Sequence, residues 1–564
     1  MNNLFMNESN PIISNSRNLI NYLPSKGWTA IVVIIAVLIA TPILFVVSSI
    51  FIDAGTIWKH LAETVLTSYI LNSLLLMFGV GIGVLIIGIA TAWLVTICRF
   101  WGCRWFEWLL LLPLSAPAYL LAYTYTNMLD YYGPVQSTLR SWFGWQNYND
   151  YWFPDIRSVW GAIVMLILVL YPYVYLLART AFLEQSICTL EASRSLGCSP
   201  WQSFFKVALP LARPGIMAGL ALALMETLND FGTVKYFGVN TFTTGIYDTW
   251  FGLGEREAAA QLAAFLMLFI FTLILLELWS RRQARYYQNS SPKSHIPRYQ
   301  LTSWRAILAW LVCFLPFFGG FLAPSLYLVD LVIANAETAL ENNFFNLANH
   351  SLMVSVVTAI AALILSLIMA YGKRLQDNFF MNASVRIAAL GYAIPGSVIA
   401  VGILIPVGRL DNAIANIMEQ GFNLKIGLLI SGTILALIYA YLVRFLPVAF
   451  GAVESSLGKI KPSLDDAARS LGSTPSKILI KIHTPLMTGG MLTAIMLVFV
   501  DVMKELPATL VIRPFNFDTL AIRVYQYASD ERLSDAAAPA LAIVLVGMIP
   551  VIFLSWQIAQ SRRS

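Results

Sequence analysis

Two pairs of carboxylates stand inside stretches otherwise apolar enough to cross a membrane. Glu226 and Asp230 lie four residues apart, and 275 residues later Asp501 and Glu505 repeat the spacing. Lys504 sits inside the second pair, and Asn229 occupies the lysine's place in the first. This spacing puts each pair on a single helix face, rising about 6 Å along it as a short acidic ladder. A charge near the bilayer centre costs about 2.5–3.5 kcal/mol on insertion scales, so such groups face the bundle interior or a watery cavity. The chemistry open to them is electrostatic: a negative lining eases a cation along a path and opposes an anion. The structural alternative has Lys504 neutralising one acid as glue while the others reach the outer interface. Both readings stand on these residues alone. The 4 His and 5 Cys show no metal-ligand spacing, and there is no H-E-x-x-H or Ser/His/Asp arrangement. Catalytic residues, a metal centre and a cofactor are therefore not expected.

A second duplicated constellation is polar and basic. Glu191-Ala192-Ser193-Arg194-Ser195-Leu196-Gly197 returns at the same offset as Asp466-Ala467-Ala468-Arg469-Ser470-Leu471-Gly472. Ser199-Pro200 and Leu209-Pro210 follow the first copy, and Thr474-Pro475 and Thr484-Pro485 the second. Each copy predicts a short helix, a turn and a second short helix. Ser463 with Asp466 makes a capping-box pattern, which Cys188 weakens in the first copy. Gly197 and Gly472 fit helix stops at positive φ. Ser199-Pro200 and Thr474-Pro475 then restart a helix, with the hydroxyl as cap and proline in the first turn. A polar loop kept twice in register between apolar spans predicts a docking surface used twice.

The elements that must hold these residues follow from composition. The chain has 564 residues, 58% hydrophobic and 12% charged, with mean hydropathy +0.71. A soluble protein carries about 25% charged residues, so the bilayer is the expected solvent and membrane lipid a partner. The net charge of +6 is modest and belongs to loops, which argues for an orientation in the membrane and against nucleic acid.

Spans are expected over 27–51, 68–98, 105–129, 157–182, 213–237 and 258–280. A second set is expected over 303–332, 350–372, 386–408, 427–452, 488–512 and 535–557. Each is long enough to cross about 30 Å of hydrocarbon as helix. The first apolar run, from Gly27, reads as a span and not as a cleaved signal. The expected fold class is all-α integral membrane, about twelve transmembrane helices in two parallel repeats. The expected divisions are a cytoplasmic tail 1–26, a first unit 27–282, a linker 283–302 and a second unit 303–564. With both termini inside, most of the 36 Lys+Arg fall in cytoplasmic segments, as the positive-inside rule requires. Pro117 in the third span matches Pro395 in the ninth. An even number of spans per unit allows a pseudo-two-fold along the membrane normal, with a path on that axis.

The paired loops resemble the EAA loop of ATP-binding-cassette importer permeases, on Glu191, Ala192, Gly197, Leu209 and Pro210 and on Ala467, Ala468, Gly472 and Pro485. Asp466 replaces the glutamate in the second copy. Met225-Glu-Thr-Leu-Asn-Asp-Phe-Gly232, Val502-Met-Lys-Glu-Leu-Pro-Ala-Thr-Leu510, Arg513-Pro-Phe-Asn-Phe-Asp-Thr-Leu520 and Tyr525-Gln-Tyr-Ala-Ser-Asp-Glu-Arg532 resemble the ferric-iron importer permeases, which fuse two units in one chain. The likeness runs from about residue 27 onward. It implies a type I permease of a bacterial inner membrane, with Glu191, Ala192, Arg194 and Gly197, and Asp466, Ala467, Arg469 and Gly472, docking two ATPase subunits. Relatives carrying thiamine, polyamines or phosphonates leave the cargo open.

No G-x-x-x-x-G-K-[ST] loop is present, so ATP hydrolysis falls to separate subunits. The outer loops are too short to enclose a ligand, and the resemblance implies that a periplasmic binding protein supplies the affinity. The aromatic-rich segments Thr241–Arg256 and Phe515–Arg532 fit its docking surface and fit interfacial anchoring equally. Two other classes remain: an ion-coupled secondary transporter, which needs no repeated docking loop, and a membrane enzyme, for which no cofactor motif or catalytic group exists.

Overall fold

The computed structural model describes residues 22–52, 55–185, 193, 195–282, 299–335, 342–424 and 427–561. Among these, ten helices are long and apolar enough to cross a membrane, or twelve if each of two bent pairs is one span. Most of the tail and most of the linker expected from the sequence lie outside the described residues.

Each repeat is built on three mutually packed helices. In the first these are α1 (Leu66–Ile97), α2 (Val159–Glu184) and α3 (Leu209–Asn229). α3 is followed by the short α4 (Gly232–Tyr236). In the second repeat, the helix Asn342–Leu375 packs with its partners at the same places. A long helix α5 (Gly396–Phe422) precedes α6 (Ile434–Gly458), and the loop helix α7 (Pro462–Ser470) leads to α8 (Thr488–Met503) and the short α9 (Pro507–Ile512). Lipid offers no hydrophobic drive between helices, so such contacts rest on close packing. A Cβ at Gly83 of α1 would run into Ile167 Cδ1 of α2, which shows how near the two approach.

The repeats are interleaved. The first span, Tyr22–Ser48, packs mainly on the second repeat's helices Phe379–Ala389 and α5, and less on Arg256–Arg282 of its own unit. Conversely, the helices Trp304–Phe317 and Ala323–Ala334 that open the second set pack against α1 and Ala118–Leu129 of the first. Both buried apolar cores accordingly draw residues from both repeats. A two-stranded parallel sheet adds a tie: β1 (Cys98–Arg99), at the end of α1, pairs with β2 (Tyr299–Gln300).

Four expected spans are broken, the third and the ninth at prolines. The third bends by 90° between Cys103–Ser115 and Ala118–Phe143, at Pro117. Proline has no N–H to continue a helix and opens the next one instead. Pro395 stands in the matching position before α5, so the sequence pairing of these prolines holds as a pairing of breaks. The fifth span stops at Asn229 and restarts at Gly232, and the eleventh stops at Met503 and restarts at Pro507.

Candidate functional site

Those last two breaks put the intramembrane acids where continuous helices would not. Asp230 leaves α3 in extended conformation, so it does not share a helix face with Glu226. Its carboxylate turns to the next element, accepting from Thr233 Oγ1 at 2.9 Å and the Val234 N–H at 3.1 Å. Glu505 does the same for α9, accepting from the Ala508 N–H at 2.8 Å, the Thr509 N–H at 3.0 Å and Thr509 Oγ1 at 2.6 Å. Each acid thus satisfies donors that the start of a helix leaves unpaired and offsets its dipole. The expectation of two i,i+4 acidic ladders is corrected. One acid of each pair caps a broken helix, and only Glu226 and Asp501 remain on the long helices.

All five sequence-selected residues, Glu226, Asp230, Asp501, Lys504 and Glu505, nevertheless line one cavity at the seam between the repeats. Tyr119, Tyr173 and Tyr392 add phenolic walls. Lys504 pairs with Asp501 at 3.0 Å, so the lysine is not a free ammonium. Among the described residues no group of three or more His, Cys, Asp and Glu side chains could hold a metal ion. The arrangement can attract a cation but has no chelating geometry.

Sequence reasoning missed the residue at the centre of this site. Arg444 of α6 has a side chain only 6% exposed and donates from Nη1 to Asn229 Oδ1 at 2.8 Å. The Gly396 N–H donates to the same oxygen at 2.9 Å. Arg444 also lies 3.8 Å from Glu226 Oε2 and 3.6 Å from Glu505 Oε1. A lone arginine in the apolar run 434–449 was the available signal. Its repeat counterpart is Val169, which lines the same cavity, so duplication could not reveal it.

The backbone must come very close here. A Cβ on Gly396 would stand 2.5 Å from Glu505 Oε1, 2.8 Å from Arg444 Nη1 and 2.9 Å from the Ala508 nitrogen. Gly396→Ala is therefore expected to spread the cluster and cost about 1–3 kcal/mol, as overpacking does. A thermal-unfolding scan of the purified chain should show the apparent Tm lowered by several degrees, and an unchanged Tm would mean the cluster relaxes freely.

Glu191, Ala192 and Arg194 lie outside the described residues. Gly197 and Gly472 have φ of +87° and +77°, the left-handed turn expected of both. Ser199 Oγ accepts from the Gln202 N–H at 3.3 Å, while Thr474 makes no side-chain cap bond. The expected Ser463–Asp466 capping box is absent, because Pro462 opens α7 with Lys461 as its N-cap. Asp466, Ala467, Arg469 and Gly472 are exposed, as are Leu196 and Leu471 at 85% and 86%. The buried acid is the neighbour, Asp465. It accepts from Arg374 Nε at 2.7 Å and lies 2.9 Å from His483 Nε2. Arg374 also donates to the carbonyls of Leu457 and Ile460, pinning the second loop to the helix Asn342–Leu375.

The family described as binding-protein-dependent transport system inner membrane component matches residues 84–285 and again 362–563. The chain is 26% identical over 489 residues to the Fe(3+)-transport system permease protein FbpB 2 of Haemophilus influenzae, covering 86% of this chain and 88% of that one. It is 23% identical over 557 residues to the ferric transport system permease protein FbpB of Actinobacillus pleuropneumoniae, covering 94% and 78%. The molybdenum transport system permease protein ModB of H. influenzae is 28% identical over 206 residues, 35% of this chain but 86% of its own length.

Proposed function

Since the chain belongs to the binding-protein-dependent transport system inner membrane components, we propose that it is the permease of an ATP-driven importer whose cargo is ferric iron delivered by a periplasmic binding protein. Membership sets aside the secondary-transporter and membrane-enzyme readings. The observation that carries the cargo is the cavity at the seam: four carboxylates against one guanidinium and one ammonium. That lining suits a cation and disfavours phosphonate. The relatives named for ferric transport cover most of the chain, which supports iron over thiamine or a polyamine.

In this reading the residues act in sequence. A binding protein docks on the outer face, where Phe515, Phe251 and Leu253 stand exposed at the tips of the two aromatic segments. The ion enters the cavity, is drawn by Glu226 and Asp501, and is not held, since tight coordination in mid-path would trap it. Two ATPase subunits engage residues 189–207 and 464–482 from the cytoplasm by helix-in-groove contacts, with both termini of the permease on that side. The pinning of Asp465 to Arg374 lets movement of the second loop reach the membrane helices. Residues 27–282 and 303–564 serve as the two units, related across the seam.

Reconstitution tests this. Vesicles containing the permease with its ATPase subunits and binding protein should accumulate labelled iron only with ATP inside and binding protein outside. Thiamine, putrescine and phosphonate should not compete. Competition by any of them, with no iron accumulated, would reassign the cargo within the same class.

A further inference from the structure

We propose that Arg444 is a charge-selective latch: a resident cation that ties the two repeats together across the path and yields only to a multiply charged metal cation. The selective part rests on the cationic cargo proposed above; the latch itself does not.

The tie is physical. Asn229 and Glu226 belong to α3 in the first repeat, and Arg444 and Gly396 to the second. Asn229 Oδ1 receives both the Arg444 Nη1 bond and the Gly396 N–H bond, so a single side chain fastens two second-repeat elements to the first. Tyr119 Oη, also of the first repeat, reaches the Lys504 carbonyl at 3.5 Å. The repeats cannot part at the cavity without breaking these contacts.

The selectivity follows from how the charges are matched. Asp230 and Glu505 are already occupied by the starts of α4 and α9. The pair left to meet cargo, Glu226 and Asp501, are repeat counterparts, yet their resident cations are not: Arg444 stands near one and Lys504 on the other. At rest each has an internal counter-ion, which lowers the cost of keeping it in the membrane. An arriving cation must replace those partners, and one of low charge gains too little to do so.

Arg444 is also loosely held for a buried guanidinium. Its carboxylate contacts, at 3.6 and 3.8 Å, are longer than hydrogen bonds, and its buried Nε has no acceptor among the described residues. A group with five donors and so few good acceptors is poised to move.

The test uses the full chain in proteoliposomes, without ATP, ATPase or binding protein, and measures Na⁺ and Cl⁻ permeability. The wild type should be tight to both. Arg444→Gln should raise Na⁺ leak by about tenfold or more, since a closed state of this kind keeps its open form scarce, and leave Cl⁻ unchanged. Arg444→Lys should stay tight to Na⁺, because an ammonium keeps the charge and can still donate to Asn229 Oδ1.

Equal leak of both ions, or a lysine variant as leaky as glutamine, would overturn charge selection. No leak in a folded Arg444→Gln would overturn the latch. If that variant fails to fold, Asn229→Ala, which keeps the cation but removes its anchor, takes its place with the same expected Na⁺ leak. If neither folds, the cluster is a folding element and the proposal falls. Iron uptake by the wild-type complex is scored separately, so its absence beside an intact Na⁺ result removes only the cargo.

Discussion

Complexes carrying Glu226→Gln together with Asp501→Asn should import ferric iron at least about tenfold more slowly than wild type, a barrier increase of roughly 1.4 kcal/mol. ATPase activity should fall much less. The cavity lining now has four carboxylates and two cations, formally −2, and the double amide brings it to 0 while leaving Arg444 and Lys504 with fewer partners. Two unit charges 4 Å apart interact by about 4 kcal/mol at an effective dielectric of 20. Tenfold is therefore a conservative floor for a trivalent ion, even after hydration of the cavity is discounted. The amides keep size and hydrogen-bonding shape, so folding should survive. Labelled-iron uptake into ATP-loaded vesicles at matched expression decides it. Uptake unchanged would leave the acids a structural role only. Uptake and ATPase activity falling in parallel would point to lost coupling, not to a changed path.

Replacing Leu196 and Leu471 together by Asp should strip the ATPase subunits from the purified complex. These leucines stand almost fully exposed beside Gly197 and Gly472, where the chain turns through positive φ and lifts them to the loop tips. An exposed leucine kept at both sites fits burial in a groove, worth about 1.5–3 kcal/mol each. Two such anchors act together because the second engagement is intramolecular. The double variant should then bind at least about a hundredfold more weakly, and each single variant less so. Size-exclusion chromatography with the ATPase subunits reads this directly. A double variant that still elutes at full stoichiometry would remove these loops from the interface.

Much of this was legible because it was written twice. The offset of 275 residues located both loops, the acids of both broken spans and the glycine stops, and positive φ at Gly197 and Gly472 follows from residue type alone. The breaks after Asn229 and Met503 were not read, since uniform hydropathy on both sides conceals a change of axis. Pro507 was the overlooked signal, a first-turn proline that starts a new helix and leaves Glu505 as its cap. Ser463 misled for a similar reason, because Pro462 had already opened α7 one residue earlier. The interleaving of the first spans was beyond sequence reading. An apolar helix face looks the same whether it meets lipid, its own unit or the other one. Arg444 escaped because a search by repetition finds only what repeats.

At the place in the first repeat that corresponds to Arg444 stands Val169, and that mismatch bears on how such a chain can diverge over generations. A permease assembled from two copies of one gene product must accept every substitution in duplicate. An arginine at this place would bring a second guanidinium to the same narrow seam, and a valine would supply none. One polypeptide holding both units at a fixed one-to-one ratio is released from that constraint, and each site can drift alone. Lys504 against Asn229 and His483 against Ala208 are further single-sided changes of this kind. Joining the genes does more than secure stoichiometry. It lets two inherited copies stop being equal, so that one can become the other's counter-ion.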